Sequence, residues 1–318
     1  MNDMRAALFD RYGPPEVLYE GRLPRPEPGP GEVLVRVRAV GVNGGELPAR
    51  AGRLRLLTGR RFPQTVGIDF VGEVVRTGAS VTGVTPGERV WGLLGRRLGT
   101  LAEYVVVRPR RLAAAPGNLS PEEAVSLLAG GTTSLTGLRD KARLRPGERL
   151  LVRGGSGGVG SVAVQIGKAL GAHVTALAGP RNLDFVRSLG ADEVHDHTTA
   201  HPAGLGRFDV VLDTVGTGHR AWRRLLAPGG RMVAIAFDLD RPASSLGYLL
   251  ASAVHGSGRV RFFSGNPDSA LLAELARYAE RGDVVPVVDT VHPLGAVAEA
   301  HRALEAGGVR GKHVVRVD

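Results

Sequence analysis

Short apolar runs alternate with stretches of helical periodicity through the middle of the chain. Strands are expected at 149–153, 173–178, 193–196, 208–213 and 230–236, and helices at 121–128, 132–141, 159–170, 181–188 and 219–227. Within 159–170, Val162, Ala163, Ile166, Ala169 and Leu170 recur at three- and four-residue spacing, which marks one apolar face of a helix. Ser120-Pro121-Glu122-Glu123 reads as a helix start, with Ser as N-cap, Pro at the first position and Glu123 completing a capping box. Strands and helices in strict alternation predict a parallel sheet wrapped by helices, a doubly wound α/β domain.

Before Asn118 the period shortens. Val33, Val35, Val37 and Ala39 alternate with Leu34, Arg36, Arg38 and Val40, the pattern of a strand. Further strands are expected at 5–9, 70–76, 89–94 and 101–107, with turns at Gly13-Pro14-Pro15, Gly78 and Pro86-Gly87. Many short strands with Gly/Pro punctuation predict a compact β-rich domain. Towards the C-terminus a strand is expected at 260–263 and a helix at 271–279. A strand at 284–291, interrupted by Pro286, a helix at 294–306 and a last strand at 313–315 complete the pattern.

The strand 149–153 runs straight into Gly155-x-Gly157-x-x-Gly160, and a helix follows. A tight glycine turn in that setting lets the backbone approach a pyrophosphate, held by the N–H groups and partial positive charge of the helix start. Gly155, Gly157, Gly158, Val159 and Gly160 are therefore candidate dinucleotide-binding residues.

Composition changes the picture at two points. The 318 residues include no cysteine, which excludes disulfides, cysteine nucleophiles and every thiolate zinc site. The net charge is +10, and all but three of the basic residues are arginine, the exceptions being Lys141, Lys168 and Lys312. An anionic partner is one reading and a compositional bias the other. The densest groups, Arg96-Arg97, Arg108 to Arg111 and Arg223-Arg224, lack interleaved aromatics, so nucleic acid is not expected as the main partner. No apolar run approaches a membrane span, and Met1 to Arg5 lacks the core of a secretion signal, so a cytoplasmic protein is expected.

Several motifs in order resemble one family. They are Pro28-Gly29-Pro30-Gly31-Glu32-Val33-Leu34-Val35, Gly41-Val42-Asn43, Gly67-Ile68-Asp69-Phe70-Val71-Gly72, Pro86-Gly87-Glu88-Arg89-Val90 and Ala102-Glu103-Tyr104. Leu128-Ala129-Gly130-Gly131-Thr132, the glycine loop, Leu189-Gly190-Ala191-Asp192, Asp213-Thr214-Val215-Gly216 and Val309-Arg310-Gly311-Lys312 complete the set. Across essentially its whole length the chain resembles the medium-chain dehydrogenase/reductases, in their zinc-independent, quinone oxidoreductase-like branch. The resemblance implies a Rossmann domain, residues 119–266, and a β-rich GroES-like catalytic domain, residues 1–118 with 267–318.

It also implies site roles. The zinc-using branch carries its metal on cysteine and histidine. The likeness places that histidine at Ile68, so no metal site is expected. At the end of the second strand, Gly179-Pro180-Arg181-Asn182 holds no acid for ribose hydroxyls, and Arg181 suits a 2′-phosphate, so NADPH is the expected cofactor. A surface arginine followed by a helix-capping Asn182 is the plainer alternative. His197 falls where relatives place a tyrosine beside that phosphate. Asn43 and Thr132 are carried to the nicotinamide pocket as positioning groups, and Phe263 and Lys312 to the cofactor. No general acid is assigned; Tyr12, Tyr104 and Tyr248 are the tyrosines considered, and water is the alternative donor.

The implied reaction is hydride transfer from NADPH to a quinone or to the β-carbon of an α,β-unsaturated ketone. A dedicated enoyl reductase of a polyketide-like pathway and a non-enzymatic NADPH-binding protein that recognises RNA or a partner are the alternatives. Relatives pair as homodimers through the cofactor-domain sheet edge, which places that edge at Val260 to Phe263.

Overall fold

Residues 3–59, 61–95, 97–236, 260–263 and 265–317 are described by the structure, a computed structural model. Tyr248 and Arg96 lie outside them. The chain divides into two compact units, Met1–Ala129 with Asn266–Gly282 and Pro286–Asp318, and Gly130–Gly265 with Asp283–Val285.

The first unit begins with β1 (Asp3–Phe9), β2 (Tyr19–Pro24), β3 (Val33–Gly41) and β4 (Gln64–Thr65). It continues through β5 (Asp69–Thr77), β6 (Arg89–Leu93), β7 (Tyr104–Val107) and β8 (Leu112–Ala114). The second unit holds β9 (Arg149–Arg153), β10 (His173–Ala178), β11 (Glu193–Asp196), β12 (Phe208–Asp213), β13 (Leu226–Ala234) and β14 (Val260–Phe262). The chain then returns to the first unit with β15 (Val288–Pro293) and β16 (Lys312–Arg316).

In the first unit β3 is the hub. It pairs antiparallel with β5, β7 and β16. Val33, Val35 and Val37 point into a core with Phe9, Phe70, Leu101, Val105 and Val315, as the alternation along β3 requires. Its last residue, Gly41, pairs with Val314, so the strand end that leads to Asn43 lies beside the C-terminal strand.

The second unit is built on a parallel sheet of order β11-β10-β9-β12-β13-β14. Leu150 to Val152, Val210 to Leu212 and Met232 to Ala234 are buried without alternation, as expected for strands covered on both faces. The winding reverses between β9 and β12, which makes the crevice outside their carboxyl ends the position where such sheets bind ligands.

Three elements depart from the sequence expectation. The two helices expected at 121–128 and 132–141 are one helix, Pro121–Leu135, that runs into a π-turn over Thr136–Lys141. Gly130 does not break it: a Cβ there would lie 2.0 Å from the Gly158 carbonyl oxygen, so the glycine serves close approach. The expected helix 219–227 stops at Arg223, and β13 begins early, at Leu226. The strand expected from 284 starts at Val288, because Pro286 has no N–H and the Val285 amide donates to Gln165 Oε1 at 2.7 Å. The capping box forms as read: Glu123 N–H donates to Ser120 Oγ at 3.2 Å and Ser120 N–H to Glu123 Oε2 at 2.8 Å.

Candidate cofactor and active sites

β9 delivers the chain to Gly155, whose N–H donates to Leu177 O on β10 at 2.8 Å. The loop then doubles back so tightly that a Cβ on Gly160 would sit 2.0 Å from Gly154 O. Among the described residues a Cβ on Gly157 would meet nothing nearer than 3.8 Å, so the loop leaves room there for a close approach. The helix Gly160–Ala169 follows; its Ser161 N–H is taken by Gly157 O at 2.9 Å, and the remaining amides of its first turn face the loop's end as a helix start does. This cradle fits a pyrophosphate. The helix carrying Thr132 lies against it: Gly130 meets Gly158, and Ser134 Oγ donates to Val159 O at 3.2 Å. Thr132 is buried, and its carbonyl accepts from Thr136 Oγ1. Phe263 packs beside Gly137 in the π-turn.

Beside the loop stands an ion pair that no periodicity singles out. Arg153 and Asp213 end β9 and β12, in register, on the two sides of the winding reversal. Their guanidinium and carboxylate meet at 2.8 Å with side-chain exposures of 7% and 0%. Asp213 also accepts from the Val215 and Gly216 amides, and His219 Nε2 lies 3.2 Å from its second oxygen. Burial alone would raise the Asp213 pKa, but His219, Arg153 and the two amides outweigh it and hold the carboxyl below its ordinary value. The Arg153 guanidinium stacks 4.2 Å from the Trp222 ring centroid and donates to Thr217 O.

In the first unit the end of β3 organises a second polar group. Asn43 is buried, and both hydrogens of its amide are committed, to Gly41 O and Glu46 Oε1, each at 3.0 Å. Its Oδ1 accepts from Lys312 Nζ at 2.5 Å. Asn43 can thus offer a ligand only the remaining lone pair of Oδ1 and acts as an acceptor. Glu46 opens the helix Glu46–Arg50; its Oε2 accepts the Gly67 N–H at 2.9 Å. Gly67 has φ +90°, and a Cβ would fall 2.6 Å from Leu101 N, so glycine is required there. Asp69 accepts the Gly41 N–H at 2.9 Å.

Two fully buried carboxylates and one buried ammonium share this spot. Burial, then the Asp69 charge, push the Glu46 pKa to about 7, against the Asn43 hydrogen bond, the Gly67 amide and Lys312. Burial likewise raises Asp69, while it lowers Lys312 against the pull of both acids. Holding a single proton on the acids brings the cluster to neutrality near pH 7. Neither Glu46 nor Asp69 was expected at the site from the chain pattern. Glu46 lies three residues after Asn43, whose N–H and side-chain amide both donate to its Oε1, at 3.2 and 3.0 Å. Lys312, which the resemblance carries to the cofactor, directs its ammonium to Asn43 Oδ1.

Neutral Glu46 stabilises the fold at low pH, and that contribution is lost as pH rises from its unfolded value of about 4.5 through about 7. His301, held near 3 first by burial and then by Arg50, works in the opposite direction over a lower range. A comparison with Glu46→Gln cancels the histidine. The stability of the wild type relative to this variant is expected to fall by about 2 kcal/mol between pH 5 and 8. Urea unfolding at several pH values checks it, and a pH-independent difference would contradict the assignment.

Of the tyrosines considered as proton donors, the hydroxyl of one, Tyr12, is engaged. Tyr12 gives its hydroxyl to Gly59 O, and the Tyr104 ring lies under the Arg25 guanidinium at 4.0 Å. Among the described residues no group of three or more His, Cys, Asp or Glu is placed to hold a metal ion.

Residues 29–117 match the alcohol dehydrogenase GroES-like domain, and residues 189–315 the zinc-binding dehydrogenase domain. The chain is 32% identical to the mitochondrial NAD(P)H oxidoreductase RTN4IP1 of Danio rerio, over 99% of this chain and 91% of that protein. It is 31% identical to 2-methylene-furan-3-one reductase of Solanum lycopersicum, over 99% of this chain and 79% of that protein. The quinone oxidoreductase of Coxiella burnetii superposes with a TM-score of 0.90 at 28% identity, covering 99% of this chain and 100% of that one. The chain belongs to the medium-chain dehydrogenase/reductases.

Within that family it stands with the quinone oxidoreductase-like members, as an NAD(P)H-dependent oxidoreductase. In this medium-chain dehydrogenase/reductase the residues expected to read the adenosine end gather at the end of β10. A 3-10 turn, Pro180–Asn182, leaves Arg181 exposed and Asn182 buried. The His197 ring borders Gly179, with Cε1 3.6 Å from where a Cβ would stand. One acid is near in the sheet: Asp196 is paired with Ala178, but its carboxylate is taken by Thr198 N–H and Oγ1, both at 2.8 Å.

Proposed function

We propose that this protein uses NADPH to reduce quinones or the C=C bond of α,β-unsaturated ketones, by hydride transfer without zinc. The observation that carries the reading is how the end of β3 balances its own charge. A protein cation, Lys312, stands with Glu46 and Asp69 and holds Asn43, while the neighbouring Ile68 offers no ligand atom. The quinone and enone reductases among its relatives support the same reading.

Reduced nicotinamide, when bound, supplies the hydride. Gly155, Gly157, Gly158, Val159 and Gly160 would hold the pyrophosphate, Arg181 and His197 the 2′-phosphate, and Asn43 and Thr132 the nicotinamide end. Asn43, restricted to accepting, suits a carboxamide N–H or a hydroxyl, and its three fixed hydrogen bonds keep it from turning. In this reading solvent delivers the proton that follows the hydride.

Steady-state assays of NADPH and NADH oxidation against a panel of quinones and enones test the proposal. NADPH is expected to be preferred, and Arg181→Ser to raise its KM by about 10- to 100-fold, the loss of one or two charge-assisted hydrogen bonds, with NADH almost unaffected. Equal use of the two cofactors by the wild type would remove Arg181 from the site. No turnover with any acceptor, with salt-sensitive RNA binding, would favour the non-enzymatic reading.

The proposal extends to assembly and place. β14 is the last strand of its sheet among the described residues, and pairing of a second copy along the sheet at Val260 to Phe263 is the proposed assembly. No described helix is long and apolar enough to cross a membrane, and the cytoplasm is the proposed site of action.

A further inference from the structure

One concave patch of the first unit takes no part in the chemistry above. It measures about 220 Å³, and three segments distant in sequence build it. Glu32 comes from the start of β3, Arg97 from the stretch after β6, and Arg108, Arg110 and Arg111 from the 3-10 turn between β7 and β8. Val33 and Val107 are paired, which fixes Glu32 beside the turn.

Four guanidinium groups line this patch against one carboxylate, and Glu32 already accepts the Gly29 N–H at 3.1 Å. Among the described residues Arg97, Arg108 and Arg110 form no ion pair, and Arg111 is steadied by donating to Pro267 O at 3.0 Å. Arginines elsewhere do find acids, as Arg5 does with Glu103 and Arg231 with Glu148. Like charges gathered without counter-charge repel, and a bound anion relieves that repulsion.

We propose that this pocket binds a phosphoryl group carried by a small molecule. Guanidinium forks match the oxygens of a phosphate bidentately, and several of them suit a group of more than one negative charge. The floor is aliphatic, Leu94, Val106 and Val107, and offers no aromatic face for bases to stack on, which disfavours a nucleic-acid strand. The patch shares no residue with the glycine loop and does not depend on which acceptor the enzyme reduces.

Calorimetric titration with inorganic pyrophosphate, and separately with coenzyme A, tests the site on protein saturated with NADPH, so that the glycine loop is filled. Potassium chloride at matched ionic strength serves as the reference. Binding is expected with both probes, and to weaken about tenfold or more in Arg108→Gln/Arg110→Gln and, independently, in Arg97→Glu, with quinone turnover within twofold of wild type. Coenzyme A binding more tightly than pyrophosphate would identify the group as the handle of a larger ligand; equal affinity would identify it as a free anion, and both support the site. Unchanged affinity in the variants, displacement by chloride at matched ionic strength, or tighter binding of an RNA oligonucleotide would overturn it.

Discussion

Lys312→Met is expected to destabilise the protein by about 3–5 kcal/mol at pH 8, the range for breaking a buried ion pair by removing one partner. The variant leaves Glu46 and Asp69 buried and facing each other without their cation. At pH 6 the acids can take up protons, so the loss is expected to be clearly smaller there. Asn43 also loses the donor that fixes its Oδ1, so kcat is expected to fall more than KM rises. Lys312→Arg, which keeps the charge, should recover part of the stability. Urea denaturation followed by circular dichroism at the two pH values is the measurement. An equal loss at both would mean that the ammonium contributes packing and not charge compensation.

Asp213→Ala is expected to cost a similar amount, about 3–5 kcal/mol, for the opposite reason. Here the cation is left behind: Arg153 remains buried at the end of β9 with its carboxylate gone. The Val215 and Gly216 amides lose their acceptor as well. The damage should reach the cofactor, because Thr214 Oγ1 donates to Arg153 O at 2.7 Å beside the start of the glycine loop. NADPH affinity is therefore expected to drop together with thermal stability. Trp222, one of two tryptophans in the chain, stacks on Arg153 and gives a local fluorescence signal for the change. Asp213→Asn keeps an acceptor for the amides and should lie between the two. Wild-type NADPH affinity in Asp213→Ala would detach the ion pair from the cofactor site.

Local features were legible where neighbours in sequence make the interaction. The Ser120–Glu123 capping box joins residues three positions apart, and the strand, glycine loop and helix from Arg149 to Ala169 follow one another. Where a residue's role is set by a distant partner, the same reading went astray. Gly130 looks like a helix breaker and is instead the point where the Pro121–Leu135 helix meets Gly158. Arg153 ends its strand as read, but its buried ion pair with Asp213 went unseen.

Taken alone, the amino-acid order determined the alternation of strands and helices, the glycine cradle, the lack of any thiolate, and Arg181 as a group worth following; Asn43 came from the family resemblance. Each depends on contacts within a few residues or on composition, where backbone geometry leaves few choices. The order of the strands, and with it the crevice between β9 and β12, was decided only by the tertiary structure. So was the charge balance at Asn43, since Lys312 reaches it from 269 residues away. Burial and pairing set the protonation of Glu46 and Asp69, and both arise only when β3, β5 and β16 come together.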